Sequence, residues 1–450
     1  MKRLAATLFG IALACASTPI AAQDEEADDP AQAAPTQTRQ HRLKIAQNTN
    51  VNFTNDDVDE IFRKITGIIQ KSNFPWDVPC LVEFVRDGDV INHAQLPVSG
   101  TATAMEQALK SFAPQAHVLI VFTIDDCSGG KAAGCAPLGG GDRMVINTDT
   151  STRGAIIWLH ERGHVMRLDH VAEGAPSNGP DTEWGRTMFW NPNSSSTGVS
   201  VHSCNAFRSQ KLNSIKTVNT AALEAASTVA MAAPPTYGLT EVAYRVLDST
   251  FAHGVPEAEV AALSQEDLDS IRTMLQEGPN ELWSRAIRVI EKRGDAKDIP
   301  LLARIFNIPL PAPVGAPTAE DRARARNLTE IKLTLPDAIG ELSRRTRSGA
   351  AIPILNAMAH TSVSARVAGP SLADAVSRAA VSGLAATGHE LAAPTLNAAT
   401  SGVKLDFEVT ASVRPSDLSA PLPAPLASDV PVFSAEESSR LLDRYNRARQ

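Results

Sequence analysis

Three histidines within eleven residues constrain the fold more than any other feature of this chain. They are His160, His164 and His170, in the segment WLHERGHVMRLDH. His160 and His164 are four residues apart, so on a helix they lie one turn apart on the same face. His170 follows six residues after His164, where continued helical geometry would turn it away from that face. If the three side chains are to meet, the helix must end soon after Val165 or Met166 and the chain must fold back.

The residue types in this segment match a catalytic zinc site. Imidazole nitrogens bind Zn²⁺ at about 2.0–2.1 Å, and three protein ligands plus one water give the open coordination that catalysis needs. Zinc lowers the pKa of that water to about 7, and a neighbouring carboxylate takes its proton as it attacks a carbonyl. We therefore predict one catalytic Zn²⁺ held by His160, His164 and His170, with Glu161 as the general base. Arg162 is expected at the surface or in a supporting position.

The segment resembles the zinc motif of the metzincin peptidases, H-E-x-x-H-x-x-G-x-x-H followed by a Met-turn. The resemblance covers roughly residues 42–218 and implies a zinc-dependent endopeptidase that acts on protein or peptide substrates. It also implies that Met188, 18 residues after His170, forms an apolar floor below the metal without binding it. Arg167 replaces the family's turn glycine, so the turn either differs in shape or accepts strain. The Gly-rich segment 134–142 resembles the region along the family's substrate-binding edge strand.

Two alternatives to this interpretation remain open. In the first, a carboxylate such as Glu173 or Glu183 is the third ligand and His170 is idle. In the second, the chain is a binding scaffold whose zinc domain is structural or inactive. The presence of Glu161 argues against the second alternative, because a structural zinc does not need it.

The N-terminus predicts export. Two basic residues precede a short apolar run at 4–14, and small residues then permit cleavage after Ala22 or, as a second choice, Ala16. The run is too short to cross a bilayer, and we predict no membrane span anywhere in the chain. A lipoprotein signal at Cys15 fits the residues before it poorly. The mature protein is expected in a periplasm or outside the cell.

Signal cleavage would leave four cysteines, Cys80, Cys127, Cys135 and Cys204. An even number in an exported protein favours disulfides, and four cysteines allow three pairings. We favour Cys127–Cys135, across the Gly-rich loop, together with Cys80–Cys204, which ties the ends of the first domain. The alternative is four free buried thiols.

Interleaved strand and helix patterns indicate an α+β first domain. We expect strands at 41–46, 81–85, 118–124 and 144–147. We expect a helix capped by Asn55 with Asp56 and Asp57 in its first turn, a helix or an extension of loop at 99–112, and helices at 152–167 and 203–215.

The second half is Ala-rich and predicted to be all-α. The prolines at 300, 353 and 394 lie in similar contexts, spaced by 53 and 41 residues. Units of about 40–47 residues are typical of HEAT-like helical repeats, and an irregular helical bundle is the alternative. Such a region could bind a protein partner. The net charge of -8 and the lack of a basic stripe predict no nucleic-acid partner.

The expected order along the chain is a signal peptide (1–22), a disordered leader (23–41), a metzincin-like catalytic domain (42–218), a linker (219–238), a helical HEAT-like domain (239–410) and a Pro/Ala-rich tail with a terminal helix (411–450).

Overall fold

The computed structural model shows an α+β part followed by an all-helical part. It describes residues 37–71, 80–127, 130–136, 141–170, 201–209, 212–219, 237–249, 254–311, 317–402 and 430–450, with single residues at 188, 192, 199 and 251. The predicted signal peptide, most of the predicted leader and linker, and Glu173 and Glu183 lie outside the described residues.

Short strands form three sheets in the α+β part. The strands are β1 (Gln37–Leu43), β2 (Ile45–Gln47), β3 (Val82–Arg86), β4 (Ile91–Asn92), β5 (Ser99–Thr101), β6 (Val118–Val121), β7 (Thr123–Cys127), β8 (Gly130–Ala132), β9 (Gly134–Cys135), β10 (Met144–Asn147) and β11 (Ile215–Asn219). The sheet orders are β11-β1-β3, β4-β2-β6-β10-β9 and β5-β7-β8. In the five-stranded sheet only β9, at one edge, runs antiparallel to its neighbour.

Four helices accompany these sheets: α1 (Asn55–Lys71), α2 (Ala102–Phe112), α3 (Thr152–Val165) and α4 (Val201–Arg208). Helix α1 begins at Asn55 and has the two predicted aspartates, Asp56 and Asp57, in its first turn. The cap is Thr54 rather than Asn55, because the Thr54 hydroxyl accepts a hydrogen bond from the backbone N–H of Asp57 at 3.2 Å. Helix α3 packs against α1 and β10, so the histidine segment lies at the centre of this part.

Four predicted elements of the α+β part differ from the structure. The expected strand 41–46 divides at Lys44 into β1 and β2, which belong to different sheets. The expected helix 99–112 begins only at Ala102, because Ser99–Thr101 form strand β5. The apolar run 118–124 is not one strand, because it divides at Phe122 into β6 and β7, which belong to different sheets. Residues 203–215 are not one helix, because α4 ends at Arg208 and Ile215 begins β11. Strand β11 pairs antiparallel with β1, and its β-branched residues suit that position.

The second part contains only helices among its described residues. They are α5 (Glu241–Asp248), α6 (Glu257–Ala262), α7 (Gln265–Glu277), α8 (Trp283–Arg293), α9 (Ile299–Phe306), α10 (Ala319–Thr346), α11 (Ala351–Met358), α12 (Thr361–Ala368), α13 (Ala373–Thr387), α14 (Ala393–Ser401) and α15 (Ala435–Arg449). The three proline segments noted in the sequence begin α9, α11 and α14. The long helix α10 packs against α8, α9, α11 and α13 at the centre. The terminal helix α15 is not fully exposed, since Leu441 and Tyr445 are buried.

Ion pairs join the α+β part to the helical part. Arg153 of α3 contacts Asp248 at 3.0 Å, and both side chains are buried. Asp57 of α1 contacts Arg326 of α10 at 3.0 Å, again with both side chains buried. The N-terminal turns of α1 and α3 are therefore fixed by charges from the helical part.

The two favoured disulfides are present. Cys80 is bonded to Cys204, with their Cα atoms 5.7 Å apart, and Cys127 to Cys135, with their Cα atoms 5.9 Å apart. Such bridges are typical of oxidising compartments. Among the described residues, no helix has the length and apolar character needed to cross a membrane.

Candidate metal centre

Helix α3, which carries the first two histidines, is surrounded by protein. Its side chains from Arg153 to Val165 are all buried. At its start, the hydroxyl of Ser151 accepts a hydrogen bond from the backbone N–H of Gly154. A helix buried on every side presents His160 and His164 to the interior from a fixed backbone.

The end of α3 confirms the predicted break. The backbone N–H of Arg167 donates to the carbonyl of His164, and that of Leu168 to the carbonyl of Gly163, both at 2.9 Å. This pair of bonds is the Schellman motif, in which the residue after the C-cap is left-handed. Arg167 has φ 69°, although a side chain in this region costs about 1 kcal/mol or more. The turn therefore keeps the shape that suits glycine, and Arg167 accepts the strain.

The fold-back brings the three imidazoles together. The Nε2 atoms of His160 and His164 are 3.1 Å apart. The ring centre of His170 lies 5.2 Å from that of His160 and 4.6 Å from that of His164. One ligand nitrogen from each ring can be chosen so that all lie within 4.8 Å of one another. Ligands at about 2.0–2.1 Å from a tetrahedral ion are separated by about 3.3 Å, so the three rings can share one cation with small adjustments.

The protonation of the imidazoles also suits a metal. His164 directs Nδ1 at the carbonyl oxygen of Leu168, 2.9 Å away, so Nδ1 carries the hydrogen and Nε2 keeps its lone pair. Burial is the main cause that lowers the pKa of His164 and, to about 4, that of His170. Both rings are neutral at pH 7, which is the form that binds a metal ion.

Glu161 is completely buried beside this cluster. Neither carboxylate oxygen makes a well-formed hydrogen bond with any described residue. Burial raises the pKa of Glu161 well above its usual range, and the backbone amide of Ala136 is close enough to oppose that rise in part. A Cβ on Gly134 would lie 2.7 Å from Oε1 of Glu161, so only glycine lets β9 approach this carboxylate. An interior carboxylate without a partner is costly unless it serves a ligand or a reaction.

Met188 lies against the histidine helix. It is buried, and a Cβ on Gly163 would lie 2.9 Å from its Cε and closer still to its sulfur. Gly163 directly precedes His164, so the methionine packs beside the turn of α3 that carries this histidine. Its role as an apolar floor below a bound metal stays a prediction.

Arg162 is a buried supporting residue. Its guanidinium donates to Nδ1 of His41 at 3.2 Å, to the hydroxyl of Ser214 at 2.7 Å and to the carboxylate of Asp142 at 2.5 Å. His41 in turn directs Nε2 at the carbonyl of Phe207, 2.8 Å away, which places its hydrogen on Nε2. Burial, with Arg162 adding to it, lowers the pKa of His41 to about 3, so this ring accepts at Nδ1 as a neutral group.

Sequence reasoning missed His41, Asp142 and Ser214 as the groups that hold Arg162. Their separations from Arg162 are 121, 20 and 52 residues, and no local pattern links positions so far apart. A histidine at the start of a predicted strand was the one available signal.

Comparison with known proteins assigns no function to this site, so its interpretation depends on its geometry. No protein family matches the chain, and no curated protein is significantly similar to it.

Proposed function

We propose that this protein is a zinc-dependent endopeptidase of the metzincin type. The observation that carries the proposal is the convergence of three imidazoles beside a buried carboxylate, that of Glu161, which makes no well-formed hydrogen bond with the described residues. The donor set fits Zn²⁺, because three imidazole nitrogens leave a fourth tetrahedral position for water or substrate. A structural zinc normally has four protein ligands, and the described residues bring only three donors together here.

Each residue has a distinct role in this proposal. His160, His164 and His170 hold the ion, which when bound supplies Lewis acidity to water and to the peptide carbonyl. Glu161 takes a proton at one carboxylate oxygen as water attacks that carbonyl, and it returns the proton to the leaving amine nitrogen. Burial raises the pKa of Glu161, which makes its carboxylate a stronger base than an exposed one.

Strand β9 supports a peptide as the substrate. Within the described residues it pairs only with β10, which leaves it at the edge of the five-stranded sheet. An extended peptide can pair with such an edge through its backbone. Gly134 of β9 lies against Glu161, so a peptide paired along this strand would pass close to the general base.

The disulfides and the short helices of the helical part support proposals for the location of the protein and for a protein partner. Two disulfides favour an exported protein, in a periplasm or outside the cell. The short helices that begin at the prolines of α9, α11 and α14 favour a short HEAT-like array that presents a surface to a protein partner.

The Glu161→Gln variant tests the proposed activity. We expect it to retain one zinc ion per chain and to lose about 100-fold or more of its cleavage of a peptide library, because the amide cannot accept the proton. Glu277→Gln is the matched control, since Glu277 is an exposed residue at the end of α7. Zinc is measured by elemental analysis of the same samples. Full proteolysis by a zinc-loaded Glu161→Gln variant would refute the assigned base.

A further inference from the structure

Residues 134–136, which we call the edge segment, lie beside Glu161. A Cβ on Gly134 would lie 2.7 Å from Oε1 of Glu161 and 2.7 Å from Cγ2 of Ile157, so the backbone of the edge segment is pressed against α3. The backbone amide of Ala136 also lies close to the Glu161 carboxylate. The position of the edge segment therefore decides the surroundings of the proposed general base.

The backbone pairing that holds the edge segment is short. Strand β9 pairs with β10 at two positions, Gly134 with Ile146 and Cys135 with Val145. Among the described residues, no strand pairs with its other side. Two paired residues at the edge of a sheet are a weak attachment for a segment that lies against a buried carboxylate.

A disulfide supplies a further attachment. Cys135 lies between the two residues that approach Glu161, and its side chain points to the opposite face because successive side chains of a strand alternate. It is bonded to Cys127 at the end of β7. Strand β7 belongs to the separate sheet β5-β7-β8, so this bond fixes the edge segment to a second sheet.

This disulfide lies in the wall of a cavity. The cavity has a volume of about 320 Å³ and is lined by Cys127, Cys135 and residues of α2 and β10. Cys127 is buried, whereas Cys135 is partly exposed. Labile and regulatory disulfides are typically accessible to an attacking thiol, which this cavity permits.

We propose that the Cys127–Cys135 disulfide is a redox-sensitive clasp, and that its reduction by thiols releases the edge segment from Glu161 and switches peptide cleavage off. This regulation rests on the proposed peptidase function. In the reaction, a thiolate attacks one sulfur, the S–S bond breaks and a mixed disulfide forms; a second thiol then releases the other cysteine. Two thiols are oxidised to one disulfide, and their two protons end on Cys127 and Cys135.

Buffers with stepped ratios of reduced to oxidised glutathione test the clasp on the zinc-loaded mature protein. Peptide cleavage should fall by about tenfold or more as Cys127 and Cys135 become reduced, because a misplacement of about 1 Å near reacting groups costs up to about 100-fold. Cleavage should return on reoxidation. Alkylation and mass spectrometry identify the reduced cysteines, and elemental analysis establishes that zinc is retained.

Serine variants separate this disulfide from the other one. Cys127→Ser with Cys135→Ser should show the low activity at every glutathione ratio. Cys204 is also partly exposed, so Cys80→Ser with Cys204→Ser is the matched control. The control should still lose cleavage when Cys127 and Cys135 are reduced. Near-ultraviolet circular dichroism establishes that each variant is folded.

Hydrogen exchange tests the clasp without any peptidase assay. Backbone amides of residues 133–136 should exchange about tenfold or more faster in the reduced protein, while those of α1 should not change. Absence of cleavage by the oxidised protein would count against the peptidase function alone, and the exchange rates would then decide the fate of the clasp.

Two results would overturn the clasp: exchange at residues 133–136 that does not change when this disulfide is reduced, or full cleavage by the folded Cys127→Ser, Cys135→Ser variant.

Discussion

From the contact between Gly163 and Met188 we predict how Gly163→Ala changes the free energy of unfolding. The sign of that change depends on the side chain at position 188. In the middle of a helix, replacing glycine by alanine stabilises a protein by about 0.5–1 kcal/mol. At position 163 the added methyl group would lie 2.9 Å from the Met188 Cε and nearer to its sulfur. Forcing an extra methyl group into a filled interior costs about 1–3 kcal/mol. We therefore expect Gly163→Ala to lower the free energy of unfolding by about 1–2 kcal/mol, the clash outweighing the helical gain.

Removing the methionine side chain should reverse that effect. Met188→Ala alone costs about 2–5 kcal/mol, because it deletes a buried side chain. In the Met188→Ala background the new methyl group has room, so Gly163→Ala should become stabilising by about 0.5–1 kcal/mol. The coupling free energy between the two positions is then about 2 kcal/mol, well above the range expected for independent sites.

Urea denaturation followed by tryptophan fluorescence measures all four proteins, and buried Trp158 on α3 makes this signal sensitive to the region. Gly67→Ala in α1 is the matched control, since a Cβ there meets nothing within 4 Å. It should stabilise by about 0.5–1 kcal/mol whether residue 188 is methionine or alanine. If Gly163→Ala and Met188→Ala add to within about 0.5 kcal/mol, Met188 does not pack on the histidine helix as described.

Three other predictions concern Arg167, the Arg153–Asp248 ion pair and Lys332. Because φ at position 167 is positive, Arg167→Gly should raise the free energy of unfolding by about 0.5–1 kcal/mol. Arg167→Val should lower it by about 1 kcal/mol. Thermal denaturation that ranks the two variants the other way would contradict this. Asp248→Ala should cost about 3 kcal/mol at most, because it removes the nearer carboxylate partner of buried Arg153 and leaves only Glu281 at 3.9 Å. Arg153→Met with Asp248→Ala should cost less, and equal losses would show that the pair is not coupled. Burial lowers the pKa of Lys332 to about 7 in the folded protein, so the unfolded chain binds more protons above that pH. The stability of the wild type should therefore rise relative to that of Lys332→Met between pH 7 and pH 10, by roughly 4 kcal/mol at most, and parallel stability curves would argue against this.

Features set by neighbouring residues could be predicted from the sequence. The spacing of His160, His164 and His170 required a helix that ends near Val165, and the structure has that end. The unfavourable residue at the turn was also identified, and the structure shows Arg167 in the left-handed conformation. The Cys127–Cys135 pairing, across eight residues, was anticipated in the same way, and it left Cys80 and Cys204 as the remaining pair although they are 124 residues apart.

Other features, set by residues far apart in the sequence, could not be predicted from it. Residues 118–124 read as one buried strand, but Val118–Val121 and Thr123–Cys127 find different neighbours and so enter different sheets. Residue Ile215 pairs with His41, 174 positions away, and that pairing turns a predicted helix into a strand. Periodicity reports which face of a segment is apolar, but it carries no information about which segment will cover that face.

The burial of charged side chains in the helical part could not be predicted from the sequence either. Lys332 is fully buried, and its ammonium group donates to the carbonyl oxygens of Phe306 and Ile308 at 2.6 and 2.5 Å. In the sequence it is one lysine in a polar helix, and nothing nearby marks it as interior. Only the packing of α10 against the end of α9 reveals it.

X-ray absorption at the zinc edge, on the mature protein and its His170→Ala variant, tests the central claim most directly. We predict one zinc per chain with three imidazole nitrogens and one oxygen ligand at about 2.0–2.1 Å, and loss of one imidazole together with weaker zinc retention in the variant. A zinc environment unchanged by His170→Ala, or a protein that takes up no zinc at all, would contradict the claim that these three histidines share one ion.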